Sequence, residues 1–494
     1  MAQLPPGTLM QRAAAGLAAV CAGLLGRVYG ARVVVLAGSG DNGGDALYAA
    51  ARLARRGAAV LAVAAAPRVH AQGAAALRAA GGRVATAQDP AAAAAIAAAD
   101  LVIDGLLGIG GRGALREPFA GLAALAARSP AVVVATDLPS GVDADTGVVA
   151  GAAVRADVTV TFGTWKPGLL IDPGATHAGV VELIDIGLAP YLPPPAVAAM
   201  RAADVAALLP QPPPDSDKYR RGVLGIVAGS DRFTGAAALA VGGALRGGAG
   251  MIRLVCAEPA AAVVRQQWPE AVITVTGRER RAGEEIKAAG RVQAWVAGPG
   301  MGTDDEAKDR LAAVLGCDVP VLVDADGLTL LAADKGLLSR TAATLLTPHA
   351  GELARLLRTD PADVQARRLE HARMAAAELG ATVLVKGSTT VIAGPGGDAA
   401  PAAALVNPTG TSWLASAGTG DVLSGLAGSL LAQGLAPGEA AGVAAYLHGL
   451  AARLAAAGTA GGAAPGVADA PIGAADVIAA LPAAIRAVRQ GSAR

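Results

Sequence analysis

Residues 31–57 read ARVVVLAGSGDNGGDALYAAARLARRG, and this stretch decides the fold. The β-branched run Val33-Val34-Val35 predicts a buried strand that stops at Gly38. Residues 46–56 then carry helical amphipathy, with a polar Gly-rich loop from Asp41 to Asp45 between the two. The same grammar recurs along the chain. AAVLAVAAAP (58–67), ADLVIDGLLGIG (99–110), AVVVATDLPSGVDADTG (131–147), ADVTVTFGTWKPGLLIDPG (156–174) and GVVELIDIGL (179–188) each contain a buried strand, and LRAAGGRVATA (77–87) fits a helix entering another. Alternation at this length predicts a doubly wound, mostly parallel α/β sheet of Rossmann-like type. In such sheets ligands bind beyond the carboxyl ends of the strands, where the loop 41–45, Asp104 and Asp137 all fall.

Between about 189 and 214 the composition shifts to proline, with APYLPPP and LLPQPPPDSDKYRRG around a short helix-like segment at 197–209. This reads as an interdomain connection. A second alternating series starts at VLGIVAGS (223–230) and ends in a helix-rich C-terminus. The expected division is two doubly wound α/β domains, 1–195 and 196–494. At 494 residues each is large enough to bury its own core.

Hydrophobic residues make up 53% of the chain and charged ones 16%, but the apolar excess is mostly alanine, so a mean hydropathy of +0.47 does not predict a membrane protein. Arg12 followed by AAAGLAAVCAGLLG has the look of a signal-peptide core, yet it leads directly into a strand and is expected to be a first surface helix. The net charge of +1 supplies no basic field for nucleic acid. Cys21, Cys256 and Cys317 have neither metal-ligand nor disulfide spacing, which suits a cytoplasmic protein. We expect no nucleic-acid or membrane partner, and a homo-oligomer.

In the first domain, Asn42 and Asp45 offer oxygens and Gly43-Gly44 exposes backbone N–H groups, while Asp104, Asp137 and Ser140 end neighbouring strands. Hard oxygens of this kind suit a weakly bound cation such as K⁺, or a ribose hydroxyl. Taken singly, each is more often a turn or cap residue. Gly38-Ser39-Gly40 with Gly43 matches the dinucleotide-binding pattern formally, but no acid ends the next strand, so that reading is set aside. In the second domain, NPTGTSWLASAGTGDVLSG (407–425) places Gly418-Thr419-Gly420-Asp421 ahead of an apolar helical run. A helix N-terminus attracts anions, and glycine lets a phosphate approach the backbone. On the four residues alone Asp421 is either a cap or a base. GPGMG (298–302), Asp324-Ala325-Asp326, TPHAGE (347–352) and Lys386-Gly387 end other strands. An anion cradle, a cation and a carboxylate are the parts phosphoryl transfer needs.

At this point two sets of motifs resemble a known family. AGSGDNGGD, DGLLG, DLPSGVDADTG, VTFGTWKPGL and DIGL are similar to the NAD(P)H-hydrate epimerase domain. KYRRGVLGIVAGS, GAAALAVGGALRGGAGMIRLV, GPGMG, VDADGLTLL, LTPHAGEL, VKGSTTVI and AGTGDVLSGLAGSLLAQGL are similar to the ribokinase-like ADP-dependent NAD(P)H-hydrate dehydratase domain. The order matches that of the bacterial bifunctional repair enzymes. The resemblance implies that Asp41, Asn42, Gly43, Gly44 and Asp45, the loop Gly108, Ile109, Gly110, Gly111, Arg112, Gly113 and Ala114, and Asp137 hold a hydrated nicotinamide nucleotide. It implies K⁺ on Asn42, Asp104 and Ser140. In the second domain it implies the hydrate on Ala244, Gly302, His349 and Asp421, and the adenine nucleotide on Lys386, Gly387, Ser388, Thr389, Thr390 and Gly420. The implied chemistry is epimerisation of R and S hydrates of NADH or NADPH, and dehydration of the S form with ADP as phosphoryl donor and Mg²⁺, giving AMP and phosphate. Asp421 would be the base, and the N–H groups of Thr419 and Gly420 would stabilise the phosphoryl group. Two departures stand out: the family's loop usually begins Asn-Asn and ends in Gly, where Asp41 and Ala46 stand here, and Trp413–Ala417 replaces the usual approach to Thr-Gly-Asp. The alternatives are a ribokinase-like vitamin-alcohol kinase fused to a nucleotide-binding module, and a non-enzymatic nucleotide sensor.

Overall fold

In a computed structural model of the chain, residues 5, 7–277, 281–396, 403–458 and 469–491 are described. They form two compact units, Met1–Pro195 and Ala196–Arg494.

The first unit holds seven strands: β1 Arg32–Ala37, β2 Ala59–Ala64, β3 Arg83–Thr86, β4 Leu101–Gly105, β5 Val132–Thr136, β6 Val158–Phe162 and β7 Val180–Ile184. They are parallel throughout, in the order β3-β2-β1-β4-β5-β6-β7. Along β1, Val33 and Val35 enter one apolar layer, and Val34 and Leu36 enter the other. This alternation is why the run is apolar at every position, as a strand covered on both faces must be. The winding direction reverses between β1 and β4, which opens a crevice above those two strands. The helix Thr8–Leu25 is, among the described residues, the one helix apolar and long enough to cross a membrane by length and composition. Its Ala14, Leu17 and Cys21 face inward and fill the core layer that also holds Val33 and Val35.

The stretch expected as a Gly-rich loop is narrower than the sequence suggests. Asp41–Arg55 is already helix, capped by Gly40, so Asp41 to Asp45 are its first turn. Glycine is needed there for close approach: a Cβ on Gly43 would stand 2.5 Å from the Gly38 carbonyl oxygen, and one on Gly44 2.9 Å from the His70 ring. Ala46 is wholly buried and lies over Gly105 of β4, so its methyl group belongs to the core.

The second unit carries β8 Val197–Ala199, β9 Val223–Val227, β10 Met251–Cys256, β11 Val272–Val275, β12 Ala294–Ala297, β13 Val321–Val323, β14 Thr344–Leu346, β15 Thr382–Val385, β16 Thr390–Ala393 and β17 Ala404–Asn407. Their order is β11-β10-β9-β12-β13-β14-β15-β16-β17-β8, and β16 alone runs antiparallel to its neighbours. The segment read as a helix-like linker piece at 197–209 divides differently. Val197–Ala199 pairs with β17 as an edge strand, and helix covers only Ala202–Leu208. A three-residue strand between prolines has too short a period-two pattern to be read.

The helix Thr419–Ala432 is buried from Val422 onward and packs against the helix Thr234–Arg246 with almost no side chain between them. Gly425 meets the backbone of Ala240 and Ala244, and Gly243 meets the Val422 carbonyl. The helix is therefore fixed backbone to backbone, with its N-terminus aimed at the strand ends. Below it, Trp295 on β12 lies opposite Gly225 on β9, and a side chain at Gly225 would collide with the indole. Trp295→Ala should cost about 3–5 kcal/mol, read as a lower urea midpoint with an unchanged slope.

Candidate functional sites

In the second unit, a cavity of ≈ 580 Å³ opens above β14, β15 and the head of the helix Thr419–Ala432. His349, expected on the hydrate, lines it together with Lys386, Gly387, Ser388, Thr390 and Gly420, expected on the adenine nucleotide. Thr389 is buried and does not line it. Its far wall contains Leu414, Ala415 and Ser416 from the unusual segment 413–417. That segment is stapled to the helix head, since the Thr419 hydroxyl donates to the carbonyls of Leu414 (2.8 Å) and Ser416 (2.9 Å). The Thr419 N–H leans toward the Ser416 carbonyl at 3.4 Å. An anion site built on free N–H groups therefore rests on Gly420.

Lys386 is the cation of this site. Its ammonium donates to Asp324 Oδ1 at 2.7 Å and stands 3.7 Å from Glu352 Oε2, with its side chain 20% exposed. Burial alone would lower its pKa, but the charges of Asp324 and Glu352 outweigh burial and raise it. It remains an ammonium. Ser424 donates to the other Asp324 oxygen at 2.5 Å, which fixes the carboxylate from the helix side. A Cβ on Gly420 would lie 3.5 Å from Lys386 Nζ, an ordinary contact distance, which places the ammonium beside the helix N-terminus.

Asp421 follows directly. Burial, then the charge of Asp324, with smaller additions from Asp326 and Glu352 against the opposing pull of Lys386, pushes its pKa up to about 7. Gly302 is not in the cavity wall; its N–H donates to Asp326 Oδ2 at 3.0 Å, on the strand-end loop following β13. Ala325, between the two aspartates, has φ +48°, a conformation that costs about 1–3 kcal/mol for a non-glycine residue and marks a constrained site. His349 caps the helix Ala350–Leu357: its Nδ1 accepts from Gly351 (3.0 Å) and Glu352 (3.3 Å), and Glu352 accepts from the His349 N–H at 2.8 Å. His349 thus fixes Glu352 near Lys386 and also faces the cavity.

Ala244 is a correction. It is 0% exposed, inside the contact between the helices Thr234–Arg246 and Thr419–Ala432, and has no surface for a ligand. The N-terminal turn of its helix, Thr234 to Ala236, is partly exposed, and there Ala236 lies beside Gly300 of the GPGMG loop. Sequence reading missed His448, whose buried ring donates from Nε2 to the Thr419 carbonyl at 3.0 Å. Burial pushes its pKa down to about 4, so it holds the helix head as a neutral group.

In the first unit, Asn42, Asp104 and Ser140 converge on the turn after β4. Asp104 is 0% exposed and accepts from Ser140 N (2.8 Å), Ser140 Oγ (2.7 Å) and Leu106 N (3.1 Å). Asn42 Nδ2 donates to the Leu107 carbonyl at 2.9 Å, and a Cβ on Gly108 would touch the Asn42 side chain. Burial raises the Asp104 pKa to about 6 against the pull of those hydrogen bonds. Among the described residues no cationic side chain is paired with it. The rest of the loop to Ala114 is largely exposed, Ile109 included, and Arg112 ties it to Asp143 (3.0 Å) and Asp145 (2.9 Å).

Asp137, at φ +63° beyond β5, pairs with Lys166 and accepts from Thr161 Oγ1 and Phe162 N, both at 3.1 Å. Lys166 has no role in the sequence reading, because a lysine five residues after Thr161 carries no spacing signal. Asp41 and Asp45 lie on one face of their helix and line a separate cavity of ≈ 390 Å³.

Comparison with known proteins bears on both units. A family model described as NAD(P)H-hydrate dehydratase matches residues 224–468, and one described as YjeF-related protein N-terminus matches residues 6–168. The bifunctional NAD(P)H-hydrate repair enzyme of Mycobacterium leprae is 48% identical over 446 residues, 89% of this chain and 88% of its own. That of Salinibacter ruber is 36% identical over 88% of this chain and 85% of its own. Among solved structures, the ADP/ATP-dependent NAD(P)H-hydrate dehydratase from Bacillus subtilis, co-crystallised with ATP and Mg²⁺, has a TM-score of 0.50 and 31% identity, covering 59% of this chain and 99% of that one. A ribokinase-like superfamily protein from Enterococcus faecalis, with a TM-score of 0.51 and 23% identity over 60% of this chain and 99% of its own, shares the fold.

Proposed function

We propose, from the premise that this chain belongs to the family of bifunctional NAD(P)H-hydrate repair enzymes, that residues 196–494 dehydrate the S hydrate and residues 1–195 interconvert the R and S forms. The observation that carries the first assignment is Asp421, a half-buried carboxyl group with a pKa pushed up to about 7, beside the charged Lys386. The nucleotide occupies the ≈ 580 Å³ cavity, within the range of small-molecule sites, with its phosphates toward Gly420 and Lys386. The hydrate lies on the other side of Asp421, toward Gly302 and His349. Asp421 accepts the hydroxyl proton as the oxygen takes the phosphoryl group from ADP. Phosphate is a better leaving group than hydroxide, and its elimination restores the dihydropyridine and leaves AMP and phosphate.

Mg²⁺ fits the carboxylate excess of Asp324, Asp326, Glu352 and Asp421 over Lys386. Among the described residues no three His, Cys, Asp or Glu side chains gather into a metal site, which suits an ion carried mainly on phosphates. When bound it would neutralise phosphate charge. K⁺ fits the oxygens of Asn42, Asp104 and Ser140, because Asp104 is a buried carboxylate without a cationic partner. Replacing K⁺ by tetramethylammonium should slow R/S interconversion at least tenfold and leave dehydration of the S form unchanged; equal rates in both salts would remove the cation from this site.

The deciding measurement mixes the protein with hydrated NADH and ADP or ATP. Recovery of reduced-nicotinamide absorbance with release of inorganic phosphate is the expected result. A stable phosphorylated alcohol would support a vitamin-type kinase instead, a reading that leaves the first unit without a task. Recovery that stops near half would mean that the first unit does not epimerise.

A further inference from the structure

Asp45 is the one carboxylate, among the described residues, with a buried oxygen that has no hydrogen-bond partner: its Oδ1 is unbonded. It stands one turn after Asp41 on the helix Asp41–Arg55, and both acids line the ≈ 390 Å³ cavity with Phe162 and Ile186. Phe162 connects this wall to a third acid, since its N–H donates to Asp137 Oδ1, the oxygen that also holds Lys166. Lys166 is anchored in turn by donation to Thr161 Oγ1 (2.9 Å) and the Phe162 carbonyl (3.0 Å). The cavity wall therefore carries a carboxylate with nothing to neutralise it, while the carboxylate behind Phe162 is neutralised by a lysine.

We propose that Asp45 is the proton-transfer residue of R/S interconversion, a role that rests on the epimerase assignment of this unit. Burial, reinforced by the charges of Asp137 and Asp41, pushes the Asp45 pKa up to about 8, so it holds a proton at neutral pH. A carboxyl group kept protonated by its surroundings can act as a general acid at neutral pH.

The substrate chemistry needs such an acid. Water added across an enamine leaves the hydroxyl on the carbon bonded to the ring nitrogen. One route to inversion breaks its C–O bond and forms it again on the opposite face. Asp45 gives its proton to the hydroxyl oxygen, which departs as water with the C–O bonding pair. The nitrogen lone pair forms a C=N bond and leaves a ring cation. Water then adds to the other face, the C=N pair returns to nitrogen, and the excess proton goes back to Asp45. Nothing is oxidised and no proton is consumed. Asp41, which stands where the family usually has asparagine, adds a negative charge on the same helix face and favours that cation. Lys166 is a positioning residue: it holds Asp137 in place and does not itself meet the substrate.

The test uses the full chain and a mixture of R and S hydrates of NADH, resolved chromatographically. Asp45→Asn should reduce interconversion by at least about 100-fold, while the ADP-dependent loss of the S form keeps its wild-type rate. Asp45→Glu, which restores a carboxyl group, should recover a measurable part of the activity and separates loss of the acid from loss of the fold. In H₂¹⁸O, hydrate interconverted by the wild type should carry ¹⁸O at the inverted carbon; retention of the original oxygen overturns the C–O cleavage route. Interconversion by Asp45→Asn within threefold of a competent wild type overturns the role of Asp45 alone. A wild type that leaves the R form untouched overturns the epimerase assignment as well.

Discussion

Asp421→Asn is expected to abolish ADP-dependent recovery of NADH from its hydrate, by a factor of about 10²–10⁴, while R/S interconversion proceeds at the wild-type rate. Asparagine keeps the shape of the helix turn but cannot accept a proton. In the wild type the group is ionised above about pH 7, so dehydration should accelerate as pH rises through that value. The same shift bears on stability. Asp421 starts near 3.8 in the unfolded chain and is pushed to about 7 in the folded one, so between these values the folded state holds the extra proton. Stability contributed by this group is present below pH 4 and is lost as pH rises to 7. Asp421→Asn should therefore be more stable than wild type at pH 8, by on the order of a few kcal/mol, and equal to it near pH 4. A mutant that dehydrates at a near-normal rate would sink the base assignment. One that is inactive yet no more stable at pH 8 would show that burial does not hold the carboxyl group neutral.

That trade between stability and chemistry also explains what the sequence displayed and what it concealed. The strands were legible because a sheet covered on both faces must be apolar at every position, as Val33 to Leu36 are, and the strand-end acids stood out against them. Asp324, Lys386 and His349 were found just beyond such strands, and Asp421 at the head of an apolar helical run. The helical first turn at Asp41 was hidden, because two adjacent glycines signal a loop when their packing against Gly38 and His70 is unknown. Ala244 was placed by the resemblance alone, and no local pattern corrected it. In an Ala- and Gly-rich helix the periodicity that separates a buried face from an exposed one nearly vanishes, so the exposed turn at Thr234–Ala236 could not be told from the buried one. Lys166 and His448 act through contacts set by tertiary geometry, with Asp137 and the Thr419 carbonyl, and no local pattern announces either. Ala325 and Asp137 are non-glycine residues at positive φ, a constraint that spacing does not reveal.

Lys386→Met is expected to weaken ADP binding at least 100-fold and to destabilise the second unit. The ammonium is four-fifths buried and faces Asp324 at 2.7 Å and Glu352 at 3.7 Å. Removing one member of a buried pair leaves the other charge without compensation, at a cost of about 3–5 kcal/mol. Asp324 is the harder case, being 1% exposed and held on its other oxygen by Ser424, so it cannot turn toward water. The loss should also raise the Asp421 pKa, because Lys386 is the group that lowers it, and any residual dehydration should need a higher pH than in the wild type. Adding Asp324→Asn to Lys386→Met removes the stranded charge. The double variant should melt above Lys386→Met, while its ADP affinity stays low, since no cation remains beside Gly420. A double-mutant cycle that is additive in stability would mean the pair contributes little. ADP affinity within threefold of wild type in Lys386→Met would remove the lysine from phosphate recognition and leave the helix head as the only anchor for the nucleotide.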